Sequence, residues 1–490
     1  LIIYSASIAH KKPKLGTSPA FHAATQYFSQ QGAVMELQNK ATRIKLFDFS
    51  TVQMRTFHMT WFAFFLCFFG WFGIAPLMAV VREDLLLTKA QIGNTIIASV
   101  GITVLVRLLI GPLTDKLGPR RTYTGLLVLG SIPVMSIGFA DSYETFLLGR
   151  LAIGAIGASF VITQYHTSMM FAPNVVGTAN ATTAGWGNLG GGVTQMVMPL
   201  IFAGILALGF SEAISWRLAM IIPGVLMLIT AAGYWFFTTD APDGDFKDLR
   251  AQGKLSADKK DSSAWVSFKA AASDYRVWLL FVVYAACFGV ELTLNNIAAI
   301  YYFDQFDLSL KTAGIIAGLF GLMNLFARTL GGYVSDFMAR NVGFQGRIYF
   351  LFVIVLCEGL ALMLFSQQSI LILAVSSMLL FSLCVQMTEG ATYGIVPFVN
   401  KKALGAVAGI VGAGGNVGAV AAGFLFKSES ITYQQGLFYL GVAVACVSVL
   451  VLAVRFTPED IKEQDEALAD ALAQRDNDAE VTPAVATQTA

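Results

Sequence analysis

Residues 100–121, VGITVLVRLLIGPLTDKLGPRR, and residues 321–340, GLMNLFARTLGGYVSDFMAR, carry one arrangement twice. Each has an arginine inside an apolar stretch, a glycine four residues on and an aspartate eight residues on. In the first these are Arg107, Gly111 and Asp115; in the second they are Arg328, Gly332 and Asp336, 221 positions later. Arginine keeps its proton, so a guanidinium at that depth must meet something anionic. The repeat describes a duplicated membrane protein built around a small anion.

Depth comes from helix geometry. If the aspartates mark the membrane edge, eight residues of helical rise put each arginine about 12 Å inside, too far for comfortable snorkelling. The hydrocarbon half-thickness is about 15 Å, so both arginines lie near the midplane. Placing a charge there costs about 2.5–3.5 kcal/mol on insertion scales. The plain alternative is a structural ion pair, yet the two apolar runs that carry these arginines hold no acid except the edge aspartates. Arginine rather than lysine suggests a planar oxyanion held by a two-pronged fork.

Composition agrees with this setting. Of 490 residues 56% are hydrophobic and 13% charged, with mean hydropathy +0.65. A soluble domain carries about 25% charged residues. Several apolar runs exceed the ~20 residues needed to cross the hydrocarbon core. The net charge of +1 says nothing of partners and gives no sign of nucleic acid. Cys67, Cys287, Cys357, Cys384 and Cys446 all fall in apolar runs without metal-ligand spacing and read as small buried hydrophobes. No metal or cofactor motif, phosphate-binding loop or nucleophile constellation is present, so no enzyme is expected. His166 is the one histidine at membrane depth, where hydrogen-bonded packing is a plainer reading than proton relay.

Twelve spans emerge from hydropathy: 57–81, 91–113, 121–140, 145–172, 176–206, 216–238, 277–303, 311–337, 347–366, 370–398, 403–426 and 433–455. They divide the chain into an extension (1–55), a six-helix half (56–238), a polar linker (239–276), a second half (277–455) and a tail (456–490). The linker carries DAPDGDF punctuation, and the tail is acidic and alanine-rich, as disordered segments are. The opening LIIYSASIAHKK is apolar for too few residues to be a cleavable signal, and its first residue is not Met. Residues 1–55 are therefore expected to be a largely disordered cytoplasmic extension of uncertain start. Lys116, Arg120, Arg121, Arg340, Arg347, Lys401 and Lys402 crowd the loops of one side, while ADSYETF and SQQS on the other carry none. The positive-inside bias puts both termini in the cytoplasm.

A second repeat links span 5 to span 11. GWGNLGGG (185–192) echoes GAGGNVGA (412–419), with Gly187-Asn188-Leu189-Gly190 aligned to Gly415-Asn416-Val417-Gly418. Gly187, Gly190, Gly191, Gly412, Gly415 and Gly418 let helices approach and slide. Packing explains the glycines but not an asparagine in each run; those amides suit either an anion or an interhelical bond. Six plus six helices with repeats between spans n and n+6 is the arrangement of the major facilitator superfamily. GPLTDKLGPRR (111–121), with Gly111, Asp115 and Arg121, resembles its loop signature. The expected fold is thus all-α and polytopic, with twelve transmembrane helices in two pseudo-symmetric halves.

The runs AGWGNLGGGVTQ and GIVGAGGNVGA further resemble the paired signatures of the nitrate/nitrite porter family. FHMTWFAFFLCFFGWFGIAPL, VELTLNNIAAIYYFDQF and EGATYGIVPFV look most like its plant and cyanobacterial uptake branch, and the similarity covers residues 55–455. The resemblance implies that Arg107 and Arg328 clamp nitrate or nitrite, with Asn188 and Asn324 as hydrogen-bonding amides. It also implies that Tyr284, Phe288 and Phe160 sandwich the flat ion. The span 1 aromatic is ambiguous among Phe64, Phe65 and Phe68, with Phe65 carried forward. The implied activity is secondary active transport, importing nitrate, and nitrite, across the plasma or inner membrane by proton symport. Nitrate/nitrite exchange and a nitrate-sensing receptor are the alternatives, and an accessory subunit is left open. Glu291 and Glu389, with Glu358 a third, are acids at membrane depth; Glu291 and Glu389 are candidates for proton coupling.

Overall fold

The computed structural model describes residues 39–171, 175–252, 268–400 and 404–466. Twelve of its helices are long and apolar enough to cross a membrane, and each overlaps a span read from hydropathy. Spans 1 to 6 are Val52–Asp84, Lys89–Arg107, Pro119–Phe139, Tyr143–Met170, Thr178–Ala207 and Glu212–Phe237. Spans 7 to 12 are Tyr275–Phe306, Leu310–Val342, Gln345–Ser366, Leu371–Tyr393, Ala406–Lys427 and Tyr433–Val451. Twelve crossings bring the chain back to its starting side, so both ends share one face, the terminal face, opposite a distal face.

Helix ends obey local chemistry. Span 2 starts on a capping box, Thr88 with Gln91, and its helix runs on to Leu117. Gly118 ends it at φ 89°, a left-handed conformation that a side chain would strain. Pro119 then opens the next helix, where its missing N–H is not needed. The turn recurs in the second half, with Gly343 at φ 82° after the helix Ala327–Val342. A Cβ on Gly118 would also run into the carboxylate of Asp240, which accepts from the backbone N–H of Arg120 and Phe246. Burial pushes that carboxyl above the usual range.

Arg120, rather than Arg121, anchors this loop. Its guanidinium donates to the Trp235 carbonyl and to Asp245 and lies over the Trp235 ring, whereas Arg121 is exposed. In the second half Asp336 pairs with Arg347 at 2.5 Å. Gly111 has open space around it and Gly332 borders the Gly390 carbonyl. The side chain of Asp115 lies outside the described part of the structure.

Two-fold packing relates the halves. Span 1 packs on span 5 and span 7 on span 11; between halves, span 2 meets span 11 and span 5 meets span 8. Small residues set the approach at these seams. Gly192 of span 5 lies against Gly321 of span 8 so closely that a Cβ on either would meet the other's backbone.

At the distal face the halves are tied together. Arg82, ending span 1, makes a two-pronged ion pair with Asp304, ending span 7, at 2.7 and 2.9 Å. Lys89 donates to the Ile431 carbonyl and lies over the Tyr433 ring. Deeper in, Gln195 Nε2 donates to the Asn295 carbonyl at 2.6 Å and Arg150 Nη2 to Asn296 Oδ1 at 2.9 Å. At the terminal face the ion pairs Arg120–Asp245, Arg276–Asp274 and Arg347–Asp336 each stay with one half and its flanking chain.

The flanking segments depart from expectation. Residues 1–38 and 467–490 lie outside the described residues, as do 253–267 of the linker and Lys401 and Lys402. Residues 39–51, expected to be disordered, are docked: the Ala41 N–H donates to the Met170 carbonyl at 2.9 Å and Lys40 Nζ to the Ser168 carbonyl at 3.1 Å. Residues 458–466 of the tail are helical, and Asp465 accepts from the Phe344 N–H at 2.7 Å. In the linker, Phe246 and Leu249 pack with Ala241 against Tyr165 and Met169. A few apolar anchors hold each otherwise polar stretch. Cys357 and Cys446 are exposed on the bundle's outer surface, not buried; Cys67, Cys287 and Cys384 are buried. His166 is held between the Tyr234 hydroxyl at 2.5 Å and the Thr239 carbonyl at 2.7 Å, within one half.

Candidate functional site

Span 8 breaks where its arginine sits. The helix Leu310–Leu322 gives way to a 3-10 turn, Met323–Leu325, and a new helix starts at Ala327. Asn324 lies in the turn and Arg328 in the first helical residues after it. Span 4 is interrupted likewise, with a 3-10 turn Ala155–Ala158 between the helices Tyr143–Gly154 and Ser159–Met170. Irregular backbone is tolerated at membrane depth where it lines a protein site, because it frees carbonyls for side chains.

Arg107 depends on such carbonyls. Its Nη2 donates to Gly157 in the span 4 break at 3.3 Å and its Nη1 to Gly412 of span 11 at 3.5 Å. Both bonds are long, and Nε has no partner. The guanidinium lies over Phe160, 5.5 Å from the ring centre. No ion pair among the described residues includes Arg107.

Arg328 is held differently. Its Nη2 donates to the Tyr284 hydroxyl at 2.7 Å and stands 2.8 Å from Glu389 Oε2, an ion-pair distance without hydrogen-bond alignment. Nη1 has no partner, and Phe288 lies 5.9 Å from the guanidinium carbon. The plain alternative weighed from the sequence, an ion pair, is present at this arginine, although spans 2 and 8 themselves hold no acid except the edge aspartates. The counter-charge of Arg328 comes from span 10, a helix neighbouring span 8 in space and distant in sequence. Two bare guanidiniums are therefore reduced to one.

The aromatics join the two arginines. Tyr284 and Phe288 stack, with ring centres 5.3 Å apart and planes 19° apart. Tyr393 meets Tyr284 edge-on at 5.1 Å, and its hydroxyl stands so near Gly412 that a Cβ there would lie 2.9 Å from it. A continuous path thus runs Arg107, Gly412, Tyr393, Tyr284, Arg328. On the first half, Phe64 lies 5.8 Å from Phe160. Phe65 does not join this cluster; its ring stacks between Phe62 and Phe69 along the same helix. Phe64 takes the position expected of Phe65. Glycines make room for both rings: a Cβ on Gly187 would penetrate the Phe64 ring and one on Gly415 the Phe288 ring, the same substitution of space in each half. Gly190 and Gly418 admit the Phe65 and Ala285 carbonyls, and Gly191 faces the Asn295 amide.

Four carboxamide and carboxylate groups complete the site's polar inventory. Asn188 and Asn416 are buried, and neither amide has a partner for its nitrogen or oxygen. Asn324 Nδ2 donates to Glu291 Oε1 at 2.7 Å, leaving Asn324 Oδ1 and Glu291 Oε2 without partners. Unsatisfied buried amides are rare in proteins and are the donors and acceptors a small polar ligand uses. Sequence reasoning missed Tyr393, the Glu389 ion pair and the Gly157 and Gly412 carbonyls. Tyr393 was within reach, since it stands one helical turn after Glu389 in EGATYG.

Comparison with known proteins agrees with this architecture. The Major Facilitator Superfamily profile matches residues 60–423. The high affinity nitrate transporter 2.5 of Arabidopsis thaliana is 41% identical over 414 residues, covering 84% of this chain and 82% of that protein. The high-affinity nitrate transporter 2.3 of Oryza sativa subsp. japonica is 38% identical, covering 85% and 80%. The nitrate/nitrite transporter NrtP of Picosynechococcus sp. is 32% identical, covering 74% and 83%. In three dimensions, a bacterial homologue of the human lysosomal transporter Spinster matches with a TM-score of 0.65 at 16% identity, over 83% of this chain and 99% of that one, a likeness of fold. These proteins are transporters rather than enzymes. On that match and those identities, the chain belongs to the major facilitator superfamily and, within it, to the family that contains these nitrate transporters.

Proposed function

We propose that the protein is a secondary active transporter that carries nitrate, and nitrite as a related substrate, into the cell by alternating access in symport with protons. The observation that carries this reading is Arg107. It is a half-buried guanidinium between the halves, with two long carbonyl bonds, an aromatic face and no carboxylate. A planar monovalent oxyanion supplies the fork-matched partner it lacks. The names of the relatives support nitrate or nitrite as that ion. Arg328 closes on it from the other half, and Asn188, Asn324 and Asn416 offer amides. Phe64, Phe160, Tyr284 and Phe288 cover its faces and exclude water.

Proton coupling arises from competition. Ionised Glu389 and the anion both seek Arg328, so a proton on Glu389 releases the guanidinium to the substrate. Glu291, bonded to Asn324, accepts a second proton beside the first. Moving one negative charge inward costs about 2.3 kcal/mol per 100 mV of inside-negative potential, and two accompanying protons reverse that sign. In the alternating step the distal ties, Arg82–Asp304 foremost, separate while the halves rock about the central site. The basic loops support a cytoplasmic terminal face.

Proteoliposomes holding the purified protein test this directly. Nitrate accumulation against its gradient is expected when an inward proton gradient is imposed, and should vanish when it is collapsed. Glu389→Gln and Glu291→Gln should each lose proton-driven accumulation while retaining nitrate counterflow. Nitrate uptake that needs internal nitrite and ignores the proton gradient would instead establish exchange.

A further inference from the structure

The proposed proton-coupled cycle leaves Arg150 unused. It lies seven residues into span 4 from the distal side, about 10 Å by helical rise. The residue is 1% exposed, and its partners are neutral: Nη1 donates to the Trp71 carbonyl at 3.1 Å and Nη2 to Asn296 Oδ1 at 2.9 Å. Nε has no partner, and no ion pair among the described residues includes Arg150. A buried cation with only dipoles around it is costly and calls for a specific reason.

Its neighbours share the deficit. Asn295, beside Asn296 on span 7, is 2% exposed with both amide atoms unpartnered. Gln195 of span 5 donates to the Asn295 carbonyl at 2.6 Å, while its own Oε1 has no partner. Gln195 stands two helical turns beyond Asn188 on the same face, about 10 Å nearer the distal side. Spans 4 and 5 belong to the first half and span 7 to the second, so both the Arg150–Asn296 and Gln195–Asn295 bonds cross between halves. Parting the halves at the distal face breaks both. Arg150 then faces the cleft with a full positive charge and amides at either side.

We propose that Arg150, Gln195 and Asn295 form a second anion-binding station, distal to the two-arginine site, for the same small monovalent oxyanion. The inference rests on the reading of the protein as an anion transporter. In the distal-open state the station draws the ion from the outer medium. As the face closes, Asn296 Oδ1 returns to Arg150 and displaces the ion toward Arg107 and Arg328. Asn296 is thus the competitor that gives the station its direction.

Initial rates of labelled-nitrate uptake into membrane vesicles with the distal face outward test the station. For Arg150→Gln, the rate at low nitrate (Vmax/KM) is expected to fall about tenfold while the saturated rate stays within about twofold. Arg150→Lys, which keeps the charge, is expected to recover most of the loss. A residue that merely latches the face would change the saturated rate, and lysine would not restore it. If Arg150→Gln does not reach the membrane, Asn295→Leu and Gln195→Leu carry the test, each with a fall of about threefold in Vmax/KM alone. An unchanged Vmax/KM, or a parallel fall of both parameters, overturns the station. Wild-type protein that carries no nitrate overturns the transport reading and the station with it; nitrate-carrying wild type with an unshifted Arg150→Gln overturns the station alone.

Discussion

Glu389 Oε2 stands 2.8 Å from Arg328 Nη2, while Arg107, the counterpart of Arg328 in the internal repeat, forms no ion pair among the described residues. The duplication is symmetric in its backbone and asymmetric in its charge. On the proposed function, one guanidinium is free to take an anion at any time, and the other must first be released.

That asymmetry gives nitrate binding a pH dependence of defined sign. On the proposed competition, ionised Glu389 occupies Arg328 at high pH and weakens binding, and the protonated acid lets go at low pH. Titration calorimetry on purified protein across a pH series should show affinity falling as pH rises, by roughly tenfold between the two limits. In Glu389→Gln the dependence should flatten at the tight-binding limit. A Glu389→Gln protein that weakens with pH as the wild type does would rule out competition at Arg328.

Lysine cannot reproduce the fork of arginine. Arg107→Lys and Arg328→Lys are each expected to lower transport by about a hundredfold or more, equivalent to about 2.7 kcal/mol. Arg328→Lys should still fold, since an ammonium keeps the attraction to Glu389. Uptake by Arg328→Lys at the wild-type rate would remove that guanidinium from the binding step.

Gly187 and Gly415 hold equivalent places against Phe64 and Phe288. Alanine at either is expected to destabilise the protein by about 1–3 kcal/mol through overpacking. Gly204, with nothing near its Cβ position, is the control and should tolerate alanine. Thermal unfolding in detergent compares the three. Helix propensity favours alanine over glycine, so Gly204→Ala should equal or exceed the wild type, and equal losses at all three sites would mean that ring contact does not set the effect.

The Arg82–Asp304 pair is half-exposed, with side-chain exposures of 29% and 29%, so its contribution is modest despite two-pronged geometry. Breaking it by Asp304→Asn should shift the balance toward the distal-open state by about 0.5–1 kcal/mol, or two- to fivefold. Spin labels at Leu86, in the distal loop after span 1, and Lys311, in the first turn of span 8, read the populations. The exchange Arg82→Asp with Asp304→Arg should restore the closed fraction; failure to do so would show that the pair does not hold this face.

Much of the architecture is legible in the sequence because it is local. Hydropathy finds the spans, and the Arg107–Asp115 and Arg328–Asp336 repeats find the two halves, since helical rise converts spacing into depth. The Gly118–Pro119 turn is equally plain. Pairing between helices is not local. Glu389 is 61 positions from Arg328, and a search for acids within span 8 cannot meet it. Phe64 and Phe65 differ by one position and about 100° of helix rotation, and that rotation is set by the hollow at Gly187, on another helix. Arg150 is hidden for a different reason. So near a helix end it reads as a snorkelling side chain, and only its burial against Asn296 shows otherwise. The docked ends are masked by composition, because a handful of anchors such as Phe456 and Ala41 outweigh a polar average.

Those docked ends have a practical consequence. Residues 39–51 are fastened to the first half through Ala41 and Lys40, and the helix at 458–466 is fastened to the second through Asp465. Neither end needs an engineered attachment to report on its half. A fluorophore near Lys45 and another near Lys462 would form a native ruler across the terminal face, and the proposed rocking of the halves should change its length.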